Sequence, residues 1–270
     1  MLFWLVFPHT VGFGVGMHKI KTALVVLITL ACGLMLTACG EKKPENLLTV
    51  ALSAEYPPFE FKQNNELVGY DVDLAKLLAE QLQRPLEIKN IEFSAIIPAV
   101  TSGRVDMAIS GISATLQRAE VVDFSNTYYE SRFAIVSTKE KPIHRLTELV
   151  GAKIGAQLGS TMEHYVKTHL DPALKNQVVT MGNNLPMIEE LKVGRLNGVV
   201  VEDAQAYQFV KNNPELTYAL LDPTGVGYAI ALPKNSPLTA EVNTALKKLK
   251  MNRDLKALDN KWLETDKSKK

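Results

Sequence analysis

Short β-branched runs alternate with helical spacings along this chain, the pattern of strand following helix. Leu48–Leu52 mixes leucine with Thr49 and Val50 and predicts a strand. It leads into Ala54-Glu55-Tyr56-Pro57-Pro58-Phe59. Two prolines fix φ there and resist helix, so the turn is expected to hold its aromatic rings stiffly. Leu74, Leu77, Leu78 and Leu82 then recur at helical spacing, with Asp71 or Asp73 available as the cap and Arg84-Pro85 as the stop. Leu86–Ile91 predicts a second strand. Beyond it Phe93 leads to Ser94, placed to cap a helix over Ala95–Ser102 that Gly103 ends.

The organisation is carried by a near-repeat. Gly103-Arg104-Val105-Asp106-Met107-Ala108-Ile109-Ser110 echoes Gly194-Arg195-Leu196-Asn197-Gly198-Val199-Val200-Val201, 91 residues later, and each copy follows a helical segment, 95–102 or 186–193. Helix, glycine stop and apolar strand make the αβ half of a wound sheet. Chance likeness of two such turns is one reading, and two α/β lobes of like construction is the other. On the second, Ile135–Ser137 leaves the first lobe and Gly227–Leu232 returns to it. This gives a discontinuous first lobe (47–134 and 228–264), a contiguous second one (135–227), two strands crossing as a hinge, and a closing helical segment over Asn243–Trp262.

At 270 residues there is length for one large domain or two medium ones, and 46% hydrophobic with 22% charged residues is ordinary for a folded protein. Before Leu48, Lys19 and Lys21 precede an apolar run from Ala23 to Leu36, broken only by Thr29 and Gly33 and followed by Thr37-Ala38-Cys39-Gly40. About 14 residues fall short of the ~18–20 that cross a hydrocarbon core. The run resembles a bacterial lipobox, with a signal over 1–38 cut before a lipidated Cys39; a plain membrane anchor or an ordinary cleaved signal is the competing reading. Met1–Gly16 carries no charge and precedes Met17, so translation is expected to start at Met17. Residues 39–46 then form a lipidated tether and 265–270 a solvated tail.

The net charge of +1 becomes −1 once Lys19 and Lys21 are removed with the signal, which argues against a nucleic-acid partner. The two cysteines, Cys32 and Cys39, both precede the body, so no disulfide is expected within it.

Ligands of open α/β sheets sit beyond the carboxyl ends of the strands. In the first lobe that position holds Ser110, Gly111, Ser113, Thr115 and Arg118, where a guanidinium fork with hydroxyls and backbone N–H groups could take a carboxylate. A capped helix start with a surface arginine explains the same run. In the second lobe, Lys153–Gln157 precedes Gly159-Ser160-Thr161-Met162-Glu163, a capping-box pattern that is either a structural cap or an anion site. Glu202 ends the strand Val199-Val200-Val201 and could pair with an ammonium, or Asp203 could; an exposed carboxylate is the alternative. With the stiff aromatic Tyr56, these groups match the charged ends of a free amino acid.

Glu55-Tyr56-Pro57-Pro58-Phe59-Glu60-Phe61, Gly69-Tyr70-Asp71-Val72-Asp73-Leu74-Ala75, Ile96-Ile97-Pro98-Ala99-Val100, Ser102-Gly103-Arg104-Val105-Asp106 and Val122-Asp123-Phe124-Ser125 with Tyr128-Tyr129 follow one another in order. Together they closely resemble the extracytoplasmic solute-binding proteins (family 3) of polar amino-acid ABC importers, over essentially all of 47–264. The resemblance implies an α/β periplasmic-binding-protein fold of type II, two wound sheets joined by two hinge strands. It also implies a site. Arg118 would hold the α-carboxylate with Ser113, Ser160 and Thr161, Glu202 the α-ammonium with Ser110 and Ser113, and Tyr56 and Phe93 would sandwich the side chain. Two positions depart from common patterns: the ammonium partner is usually Asp where Glu202 stands, and some basic-amino-acid binders have an acid where Ser53 stands. Arginine-specific members resemble this chain more closely, with a Ser there and a Tyr-Pro-Pro-Phe-Glu turn. Arginine or another cationic amino acid is thus the expected ligand, read by Glu55, Glu60 or Glu130. Glutamine comes next, because Gln157 matches a side-chain contact.

The resemblance further implies closure around the ligand, delivery to a permease with a separate ATPase subunit, an extracytoplasmic monomer and attachment to the membrane through Cys39. No Gly-x-x-x-x-Gly-Lys-Ser/Thr occurs in the chain, so no ATP engine is expected within it. No cofactor, metal site or catalytic residue is expected either: Gly-x-Ser-x-Gly and His-Glu-x-x-His are absent, and His164 and His169 do not share a helix face. The rival class is a periplasmic cyclohexadienyl or arogenate dehydratase on the same fold. A sensor or adhesin domain is a third.

Overall fold

A computed structural model describes residues 46–221 and 227–263. The signal 1–38, Cys32, Cys39, the tether as far as Glu45 and the tail 265–270 lie outside the described residues. Within them no helix is long and apolar enough to cross a membrane.

The described residues form two five-stranded sheets and a small antiparallel one. The first sheet contains β1 (Leu48–Leu52), β5 (Leu86–Asn90), β6 (Met107–Ala108), β7 (Val122–Phe124) and β13 (Ala231–Pro233), in the order β5-β1-β6-β13-β7. β5, β1 and β6 are parallel, and β13 runs antiparallel to both its neighbours. The second sheet contains β8 (Phe133–Thr138), β9 (Lys153–Gln157), β10 (Gln177–Met181), β11 (Gly198–Glu202) and β12 (Leu216–Leu220), in the order β10-β9-β11-β8-β12. Again three parallel strands are followed by an antiparallel one. The lobes are therefore built alike, and β6 and β11, the strands of the near-repeat, hold the same place in each.

Both copies reach that place through the same helix ending. Helix α2 (Ile96–Thr101) ends at Gly103 (φ 69°) and helix α5 (Asn184–Lys192) at Gly194 (φ 75°). In the first, Gly103 N–H donates to Val100 O and Arg104 N–H to Ala99 O; in the second, Gly194 N–H donates to Leu191 O and Arg195 N–H to Glu190 O. This is the Schellman pairing, which needs a left-handed residue.

Period-two alternation gives each sheet two buried faces. In the first, Leu48 and Val50 pack with helices α1 (Tyr70–Gln81), α7 (Leu238–Met251) and α8 (Asp254–Trp262), while Ala51 and Ala108 face α2. In the second, Phe133 and Ile135 join helix α4 (Thr161–His169), and Ala134 and Val136 join α5 and α6 (Asp203–Asn212). The closing helical segment is thus two helices, broken at Arg253 (φ 68°).

Several local expectations are corrected. Neither Asp71 nor Asp73 caps α1. The helix starts at Tyr70 behind Gly69, and the two carboxylates are taken by tertiary partners: Asp71 is fully buried, and Asp73 accepts from Lys261 Nζ at 2.7 Å and Trp262 Nε1 at 2.9 Å. Ser94 caps nothing, because a 3₁₀ turn over Phe93–Ala95 leads directly into α2. Ile135–Ser137 lies inside β8 of the second sheet, so the crossing comes earlier. There Tyr128 N–H donates to Tyr228 O (2.9 Å) and Tyr228 N–H to Tyr129 O (2.8 Å), pairing the outgoing and returning segments.

The third sheet places the turn residues. Strands β2 (Glu55–Tyr56), β3 (Glu60–Gln63) and β4 (Glu66–Val68) form an antiparallel ribbon around the cis Pro57–Pro58 bond. Gly69 then presses against that turn with φ 129°, where a Cβ would stand 2.1 Å from Phe59 O. No other residue type fits this approach, which brings the start of α1 beside Glu60.

Candidate ligand-binding cleft

The carboxyl ends of β1, β6, β9 and β11 converge on a tight cavity of about 10 Å³ between the lobes, which have to part to admit an amino acid. Ser53, Tyr56, Phe93, Ser110, Gly111, Gln157 and Glu202 line it, together with Glu60 and Met162. These come from elements far apart in the chain. Ser53 follows β1, Ser110 and Gly111 follow β6, Gln157 ends β9 and Glu202 ends β11.

Polar atoms without partners gather here. Ser53 Oγ, Tyr56 OH, Glu60 Oε2 and Glu202 Oε2 are buried with no hydrogen bond, an arrangement that folded proteins rarely leave unfilled. Among the described residues two carboxyl groups line the cavity, and no Lys, Arg or His does. Burial pushes Glu202 up to about 8; the Tyr228 hydroxyl beside it works against the shift and the Asp203 charge with it. Asp203 is engaged elsewhere, 3.5 Å from Arg132 Nε, which leaves Glu202 as the strand-end acid facing the cavity.

Glu60 belongs to a buried network. Ser110 Oγ donates to Glu60 Oε1 (2.6 Å) while accepting from Ser53 N–H (3.0 Å). Beside it Asp71 Oδ2 accepts from Gly111 N–H (2.7 Å) and Tyr128 OH (2.9 Å). Burial, and then the Asp71 charge, push the Glu60 carboxyl well above the carboxylate range against the pull of Ser110. Of the other acids named for the side chain, Glu55 meets Asn183 and Glu130 is exposed; neither lines the cavity.

Arg118 does not line this cavity; it lines a second one that shares Phe93 with the first. Its guanidinium donates to Ser113 O and to Gly159 O, each at 3.0 Å, with Cζ 5.6 Å from the centre of the Phe93 ring. Burial lowers it to about 10, so it remains charged at neutral pH. Two of its five donors are used in these bonds. The Ser113 and Thr161 hydroxyls meet at 3.3 Å across the lobes, outside the lining. Ser160 is occupied as a cap: its hydroxyl accepts from Glu163 N–H (3.1 Å) and donates to Gln157 O (2.6 Å). The Glu163 carboxylate reaches Gly159 N–H (2.6 Å) instead of closing the box on Ser160. Gln157 donates Nε2 to Gly182 O (3.0 Å).

The sequence did not single out Met162 as a lining residue, nor the pairing of Asp71 with Glu60. The Gly69-Tyr70-Asp71 run, one short hairpin after the Pro57-Pro58-Phe59-Glu60 turn, was the available signal for the pairing.

Fold and cleft define a two-lobed solute-binding protein. Residues 48–265 match the bacterial extracellular solute-binding proteins, family 3, and the chain belongs to that family. It is 34% identical to the arginine-binding extracellular protein ArtP of Bacillus subtilis (strain 168), over 92% of this chain and 100% of the relative. Among solved structures it resembles an ancestral arginine-binding protein bound to arginine, at 38% identity and TM-score 0.78, over 82% of this chain and 99% of the other. It also resembles an ancestral arginine-binding protein bound to glutamine, at 39% identity and TM-score 0.76, with the same coverage.

Proposed function

We propose that this protein is the extracytoplasmic arginine-binding component of an ABC importer. The observation that carries the reading is a cavity with two buried, incompletely paired carboxyl groups, no base on its lining among the described residues, and a guanidinium over the Phe93 ring that lines it. Arginine supplies the complementary charges. Its α-ammonium pairs with Glu202, its guanidinium with Glu60, and its α-carboxylate with Arg118, with help from Ser113, Thr161 and the N-terminus of α4. Tyr56 and Phe93 flank the side chain, and the orphaned Ser53 hydroxyl and the Gln157 amide oxygen supply further polar contacts.

Ligand contacts from both lobes exist together only when the lobes are closed. A ligand shifts that equilibrium by its differential affinity, and hydrogen bonds to charged groups contribute roughly 1.5–3 kcal/mol each. The closed form then delivers the amino acid to a permease powered by a separate ATPase, with the protein acting as a monomer held to the membrane by lipid on Cys39. The chain binds without turnover.

A thermal-shift screen of the twenty amino acids with ornithine and citrulline tests this, since a ligand that binds the folded state raises its melting temperature. Arginine is expected to give the largest rise; no rise with any amino acid would reject the reading. Glutamine is the second reading, favoured by Gln157 on the lining and by the glutamine-bound ancestral relative.

A further inference from the structure

Glu60 and Asp71 form a pair of carboxyl groups with more acceptors than donors around them. Ser110 satisfies one oxygen of Glu60, and Gly111 with Tyr128 satisfies one oxygen of Asp71. The remaining oxygens, Glu60 Oε2 and Asp71 Oδ1, are buried without a donor. The two side chains lie within hydrogen-bonding reach of each other, so that one proton held by Glu60 would bond it to Asp71. The proton rests on Glu60 because the Asp71 carboxylate already accepts two hydrogen bonds where Glu60 accepts one.

The surroundings keep that proton in place. Asp71 faces Glu60 from α1, Tyr128 comes from the outgoing crossing segment, Tyr56 from the paired strand β2, and Glu202 stands on the second-lobe side of the cavity. Every titratable group among them is an acid or a phenol. Lys62, two residues along the same strand, is exposed. Yet Glu60 reaches the cavity, so a cation entering there meets the pair directly.

We propose that the Glu60–Asp71 pair senses the charge of the ligand's side chain by exchanging a proton for it. A guanidinium or ammonium displaces the shared proton to solvent and leaves both carboxylates ionised. A neutral amide or ureido side chain leaves the proton between Glu60 and Asp71 and donates its own N–H to the Glu60 carboxyl group. The cleft thereby takes two charge classes of ligand, and pH sets the preference: cationic side chains gain as pH rises, neutral ones are favoured as it falls. This rests on the arginine-binding reading above and adds regulation to the same site.

Calorimetric titration of the extracytoplasmic protein with arginine and with its neutral analogue citrulline, each in buffers of different ionisation enthalpy, counts the protons released. Any proton released from Glu202 is common to both ligands, so the difference isolates the pair. Arginine is expected to release about one proton more than citrulline, and the arginine-to-citrulline affinity ratio to rise with pH, by about tenfold per pH unit where that full proton is exchanged. Glu60→Gln, which keeps the shape of the side chain, is expected to abolish the extra proton and to weaken arginine more than citrulline. Equal proton release by the two ligands overturns the inference and leaves the arginine reading standing, as does an undiminished arginine proton count in Glu60→Gln; that comparison decides if citrulline does not bind. Absence of binding by any amino acid overturns both.

Discussion

Arg118 of the first lobe donates to the carbonyl of Gly159 in the second at 3.0 Å, so the residue proposed to anchor the ligand's carboxylate also ties the lobes together. Removing it costs an anchor and a latch at once. Truncating one partner of a buried charged pair typically costs about 2–5 kcal/mol, so Arg118→Ala is expected to weaken arginine binding by roughly 30- to 4000-fold. Its fold should survive, because the guanidinium touches two backbone carbonyls and the Phe93 ring and fills no core position. Isothermal calorimetry reads the loss, and small-angle scattering should show a wider average separation of the lobes. Unchanged affinity would remove Arg118 from the site.

Glu202 gives stability a pH dependence. Its folded value of about 8 lies above the ordinary 4.5, so between those values the folded state binds more protons than the unfolded one. Stability without ligand therefore falls as pH rises through that window and levels off above it. Glu202→Gln should make the fall shallower, with the Glu60–Asp71 pair keeping part of it, and should raise the melting temperature at pH 8. The same change should weaken amino-acid binding. Thermal melts from pH 5 to 9 with and without arginine check both; a wild-type melting temperature that rises from pH 5 to 8 without ligand would contradict the assignment.

Gly69 carries a conformational and a steric demand together. Alanine there would adopt φ 129° and press its Cβ against Phe59 O. A loss of roughly 2–4 kcal/mol is expected for Gly69→Ala, read by urea denaturation, with arginine affinity falling because Asp71 and Glu60 are displaced together.

Cys39 is the proposed lipid site. Cys39→Ser is expected to lose radiolabelled lipid and to appear in the soluble extracytoplasmic fraction. A mutant that stays labelled and sediments with membranes would assign the anchor elsewhere.

The parts of this protein that the sequence made legible are those governed by local physics. Helix spacing and glycine stops located α2, α5 and the strands behind them, and the repeat of that unit anticipated two sheets of one design. Expectations failed where a tertiary partner outcompeted a local one. Asp71 and Asp73 stand where caps are common, yet Gly111, Tyr128, Lys261 and Trp262 claim their carboxylates from 40 to 189 positions away. Ser94 is a good capping residue left without work by the 3₁₀ turn around it. At the cleft, charge and strand ends singled out Glu202 and Arg118, while choosing Glu60 over Glu55 and Glu130 required knowing which face of the ribbon turns inward. Spacing alone does not fix that.

Strand β13 lies between β6 and β7, although more than a hundred residues separate it from either. The second sheet is drawn wholly from residues 133–220, whereas the first is missing its fourth strand until residues 231–233 arrive. A polypeptide delivered across a membrane amino end first can thus complete its later lobe while the earlier one is still open along a strand-wide gap. Non-local pairing of this kind makes closure of that gap the slow event of assembly. The half of the molecule that emerges first is the last to become whole.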